Sequence, residues 1–205
     1  SINGQIFQQQ TVNNLTIQNA SGVVLSHPLH LQKHLNMRAG SLLSNDQLYF
    51  LSGAAISSAA IGTTIIGNVH AANLFANKTA GNYLAGHPFN ASINLNQWTA
   101  QPSLFYLDDS ISTDSFSIEP RWKPFQYGTD SLLGLWKKQQ GIQWRIPANQ
   151  SAQTAPPYLS GPIEMGNQTV LLNGKSHQFN LVSNPYLCPI QTSAMGRSSG
   201  VRALN

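Results

Sequence analysis

Charge is what this chain has least of. Lys, Arg, Asp and Glu together make up 9% of its 205 residues, against about 25% in an ordinary soluble domain. Apolar residues still amount to 41%, so the chain has what it needs for a core and lacks the high charge that keeps a disordered chain open. The surface this implies is hydrogen-bonding rather than ionic. Its net charge of +4 comes from few groups and contains no polybasic run, which argues against nucleic acid as a partner.

Cysteine is nearly absent as well. Cys188 stands alone, so no internal disulfide can form and cysteine supplies no metal cluster. Motifs that would name a chemistry are also missing: there is no Gly-x-Ser-x-Gly elbow, no P-loop, no dinucleotide fingerprint and no HExxH. Catalysis needs positioned roles rather than residue types, and the chain is therefore read as a non-enzyme without a cofactor. Adjacent carboxylates at Asp108 and Asp109, followed by Asp114, suit a glycan hydrolase poorly, because neighbouring side chains on a strand point to opposite faces.

The longest feature present is an uncharged run. Leu51–Ala76 carries no formal charge, and the surrounding region from Gln47 to Leu107 contains only Lys78. A loose five-residue echo places Ile56, Ile61 and Ile66 at equal spacing. Five matches neither the helical nor the strand period, so the stretch reads as short strands buried on all sides and broken at Gly53, Gly62 and Gly67. Its serines, threonines and asparagine dilute it below the roughly 20 apolar residues of a membrane span. A solenoid with five- or six-residue turns is not claimed from three imperfect units.

Other segments read as strands. Thr11–Gln18 puts Leu15 and Ile17 on one face, Gln47–Leu51 and Ser103–Leu107 are rich in β-formers, and Asn173-Gly174 marks a hairpin across Gln168–Val182. The fold class expected is all-β, an antiparallel β-sandwich or jelly-roll-like single domain over residues 1–205 with little helix. Residues 1–26 carry no charge and form an edge strand or one exchanged with a neighbouring copy through Val12, Leu15 and Ile17.

Three further sets of residues have a chemistry to weigh. His27, His30 and His34 would line one face of a helix, a spacing that could suit zinc, but fail to converge on a strand, and no metal site is assigned. Trp122, Tyr127, Trp136 and Trp144 alternate with cations and could stack sugar rings. Asn14, Asn19, Asn77, Asn90, Asn149 and Asn167 each open an Asn-x-Ser/Thr triplet, the acceptor pattern for N-glycosylation.

Together these features point to a structural subunit of an extracellular assembly, such as a pilus-like filament, a fibre or a virion shell. The expected partners are copies of itself, on the cell or virion surface, with no nucleic acid and no membrane span. A carbohydrate-binding module that recognises surface glycans is the alternative.

Overall fold

The computed structural model describes residues 10–72, 79–97, 103–107, 122–128, 133–148, 158–172 and 180–188. Nearly every regular element is a strand, and among the described residues the one helix is a single 3-10 turn at Leu95–Gln97. The all-β expectation holds. The arrangement does not follow an antiparallel sandwich, because the first third of the chain winds as parallel coils.

Three coils can be followed. The first runs through β1 (Thr11–Gln18) and β2 (Val23–Val24), and the second through β3 (Leu29–Ala39) and β4 (Ser41–Leu43). The third comprises β5 (Leu48–Phe50), β6 (Ala55–Ala59) and β7 (Thr64–Ile66), after which β8 (Asn68–Ala72) starts another turn. Thr11 pairs with His30 and His30 with Tyr49, 19 residues apart each time, and the offset between β1 and β3 grows to 20 where Leu15 meets Leu35 and 21 where Gln18 meets Ala39. Tyr49 pairs with His70, two residues later than an offset of 19 would give. All of these pairings are parallel, as are β2 with β4 and β4 with β7.

The parallel stack has a simple physical cause. Residues in register across coils point the same way, so an apolar residue at one inward position must lie over another. Val12, Leu31, Phe50 and Ala71 form one such column, and Leu15, Leu35 and Ile56 form a second. Leu31 and Leu35 are fully enclosed. Removing a leucine of this kind from a packed interior costs about 2–5 kcal/mol.

Corners are made by residues that tolerate left-handed backbone. Gly40 has φ 79° where β3 turns into β4, and Asn45 and Asp46 take φ 47° and 57° between β4 and β5. Buried Ser44 ties one corner to the next coil, its hydroxyl lying 2.6 Å from the Asn68 carbonyl and 3.0 Å from that of Ile66.

The remainder is antiparallel. β9 (Gly81–Ala85), β11 (Ser103–Leu107), β12 (Trp122–Pro124) and β14 (Ile142–Ile146) form a four-stranded sheet in the order β12-β11-β14-β9, and β10 (Ile93–Asn94) pairs with β13 (Leu135–Trp136). Finally β15 (Tyr158–Pro162) lies antiparallel on β8 and closes that end of the coil sheet. The buried residues of both parts belong to one hydrophobic cluster.

Two expectations are corrected here. Strands in Leu51–Ala72 do break at the glycines, but the segment is not buried on all sides: only Ile65, Val69 and Ala71 are enclosed, and Ile61 is fully exposed. A coil strand sends alternate side chains outward, and in a thin coil nothing in the chain need cover them. The equal spacing of Ile56, Ile61 and Ile66 is therefore not a structural repeat. Thr169–Leu172 lies in no strand, and Leu171 is 89% exposed, so the first arm of the expected hairpin is absent. Asn173-Gly174 itself lies outside the described residues.

Gly40 offers a test of the coil geometry. A Cβ added there would run into the Asn19 carbonyl oxygen of the coil below, whereas one added at Gly53, also at positive φ, meets nothing within 4 Å. Gly40→Ala is expected to lower unfolding free energy by more than about 2 kcal/mol and Gly53→Ala by about 1 kcal/mol, measured by urea denaturation. Equal losses would mean that the two corners do not stack closely.

Candidate functional site

Three parts of the surface present side chains in an organised way: the outer face of the coil sheet, a groove beside β6, and the exposed edge of the first coil. On the outer face, register brings His30, Tyr49 and His70 into one column. The rings of His30 and Tyr49 stack at 4.7 Å and those of Tyr49 and His70 at 4.3 Å, with Tyr158 meeting Tyr49 edge-on at 5.3 Å. The His70 Nε2 also lies 3.1 Å from the Asp46 carbonyl oxygen.

A second column is purely polar. His34 Nδ1 hydrogen-bonds with the Ser57 hydroxyl, and the Ser58 hydroxyl donates to Asn36 Oδ1 at 3.1 Å. His30 and His34 both lie on β3, four residues apart along an extended strand, which separates them by about 13 Å. Among the described residues no group of three or more His, Cys, Asp or Glu could hold a metal ion. His27 contacts the neighbouring Ser26 hydroxyl instead.

The groove, about 270 Å³, runs between β6 and the segments around Met165 and Tyr186–Cys188. The Ile56 amide donates to the Leu187 carbonyl at 2.8 Å and joins its two walls. Cys188 is half-buried there, and burial pushes its thiol pKa up, which disfavours the reactive thiolate.

The aromatic set does not form one platform. Trp136 is fully enclosed and Trp144 only 3% exposed, so both rings are engaged in the core. Tyr127 is half-buried against that core, and burial raises its hydroxyl pKa. Trp122 is half-buried at the edge strand β12. Asp108, Asp109 and Asp114 lie outside the described residues. Of the Asn-x-Ser/Thr asparagines, Asn14, Asn19, Asn90 and Asn167 are exposed, while Asn77 and Asn149 lie outside the described residues.

The first coil contains all three residues expected at a subunit contact. Ile17 is buried, while Val12 and Leu15 are half-buried against the same core. β1 pairs with its own β3 and is, among the described residues, the outer strand of the sheet. The histidine-tyrosine column went unread in the sequence; its signal was the 19-residue spacing of Thr11, His30 and Tyr49, which the longer step to His70 obscures.

One buried histidine is structural. His87 is 1% exposed, and its Nε2–H donates to the carbonyls of Lys137 at 3.1 Å and Trp136 at 3.3 Å. Its Nδ1 accepts from the Phe89 amide at 3.3 Å. Both nitrogens are thus satisfied in the neutral ring. Burial lowers its pKa from 6.5 to about 4, against the smaller upward pull of the two carbonyls.

These features define a class, an all-β protein of stacked parallel coils joined to an antiparallel module. No family model matches the chain, and no curated protein or solved structure matches it. Nor is any helix among the described residues long and apolar enough to cross a membrane.

The His87 pKa gives a pH prediction. The folded value lies below the unfolded one, so the neutral ring's contribution is complete above pH 6.5, shrinks as pH falls, and is gone near pH 4. Its size is about 3 kcal/mol. Denaturation across that window should show the loss, and His87→Gln should remove this share of the slope; an unchanged slope would mean that His87 does not carry it.

Proposed function

We propose that this protein is a structural subunit of an extracellular assembly. The observation that carries the reading is that, among the described residues, the first coil is less enclosed than the second. Val12, Leu15 and Val23 are half-buried, whereas their register partners in the second coil, Leu31, Leu35 and Leu42, are fully enclosed. A coil interior left partly open at one end is the feature that stacked-repeat proteins cover with a cap or a neighbour.

Composition supports the same reading. Parallel coils hold together by main-chain hydrogen bonds and apolar columns, neither of which needs charge. A surface rich in amides and hydroxyls packs against a neighbour without desolvating ions, a cost of several kcal/mol per buried charge. Glycan binding through Trp122, Tyr127, Trp136 and Trp144 is the weaker reading, since two of the four rings are enclosed.

Electron microscopy of the protein isolated from its source tests this. Regular filaments, fibres or shells are expected, with a repeat commensurate with one chain. Dispersed particles of one chain's mass would overturn the reading.

A further inference from the structure

We propose that two copies of this chain join end to end through their first coils, with β1 of one pairing antiparallel to β1 of the other about a two-fold axis at Thr16. The inference rests on the assembly reading and deepens it by naming a contact. It also differs from strand exchange, because each β1 stays in its own sheet and gains a neighbour on its outer edge.

The edge is fit for pairing. An outer strand presents unpaired N–H and C=O groups, and proteins that must avoid association blunt such edges with lysine, proline or a bulge. β1 has no lysine, no proline and no other charge over its eight residues. The ladder it shares with β3 is irregular between Val12 and Asn14 and again after Ile17, with the extra residue on β3 each time. Asn14–Ile17 is the longest regular stretch between them.

Symmetry then selects the register. In an antiparallel pair, directly opposed residues share a face. Centring the axis on Thr16 sets Leu15 beside Ile17 of the second copy and Asn14 beside Gln18, so apolar residues continue the core and neutral polar ones continue the outer face. Centring it on Leu15 instead would oppose polar Asn13 to apolar Ile17. No like charges face each other across β1.

The shape of the chain argues for a second copy meeting first coil to first coil. A neighbour that continues the half-open columns needs the same coil width and inward apolar residues, and the first coil of another copy has both. The opposite end of the coil sheet does not supply them. There β15 runs antiparallel on β8 and ends at Pro162, whose carbonyl accepts from Asn90, with Ile163 bridged to Phe89. Head-to-tail stacking would place β1 against this closed end, and the two-fold contact avoids it.

Cysteine cross-linking of the full chain tests the seam, with Cys188→Ser removing the native thiol. Opposed residues in an antiparallel pair have Cα atoms about 4.5–5.5 Å apart, within reach of a disulfide. Thr16 is exposed, so Thr16→Cys should fold, which circular dichroism verifies. Under mild oxidation Thr16→Cys should form covalent dimer about ten-fold faster than Gln32→Cys, which is exposed on the neighbouring β3 but away from the seam. Cross-linking no faster than at Gln32→Cys, or a monomer by light scattering at tens of micromolar, would overturn the inference. Regular assemblies in native material without the Thr16 cross-link would remove this contact and leave the assembly reading standing. A cross-linked dimer with no larger assembly would do the reverse.

Discussion

Everything in the coiled part depends on residues in register facing the same way. Parallel strands about 4.8 Å apart leave no freedom to place an apolar residue inward in one coil and outward in the next. Three inward columns satisfy this rule from the first coil to the third, starting at Val12, Leu15 and Val23, and a fourth runs from Ile17 to Met37. The corners are subordinate to it. Gly40 turns tightly enough to approach the Asn19 carbonyl, and Ser44 bonds across to the next coil, because the strands on either side cannot slip. A one-residue slip would turn Leu31 and Leu35 outward together.

This constraint explains the dearth of charge more directly than burial does. In a thin coil every residue is in the interior, at a corner or on an outer strand face stacked against its equivalents. On that face an ion lies over the next coil's residue at the same position, and like charges so placed repel. Aromatic, amide and hydroxyl groups stack instead, as His30, Tyr49 and His70 do, and as Asn36 does with Ser58. The uncharged run from Gln47 onward is thus compatible with an exposed surface, and the expectation that it must be enclosed overlooked this alternative.

Local signals in the sequence located much of the framework. Thr11–Gln18, the neighbourhood of Leu48–Phe50 and Ser103–Leu107 are strands where β-formers and alternation placed them, and Gly53, Gly62 and Gly67 do separate strands. The direction of pairing was not legible. Alternation tells which side chains share a face and says nothing about which way the neighbouring strand runs. The repeat that would have revealed it grows from 19 to 21 residues along the β1–β3 ladder itself and is 21 at β8, and its columns mix valine, leucine, phenylalanine and alanine. The aromatic residues read as surface stackers illustrate the same limit: Trp144 lies on a strand whose inward face is Ile142, Trp144 and Ile146, a pattern visible only once the strand's phase is known.

The candidate contact at β1 carries a consequence for the asparagine triplets. Asn14 opens one of them, and it is exposed on the strand that is outermost in its sheet among the described residues. A glycan there would add a bulky, solvated group beside the seam, and bulk at an edge blunts it as effectively as charge does. Modification at Asn14 and pairing about Thr16 therefore compete for one strand. Asn90 and Asn167 carry no such conflict: Asn90 accepts from Lys138 at 2.9 Å, far along the chain from the first coil, and Asn167 lies beyond β15. If sugars are attached, their distribution among these three asparagines would report whether the first coil is covered when the enzyme meets it.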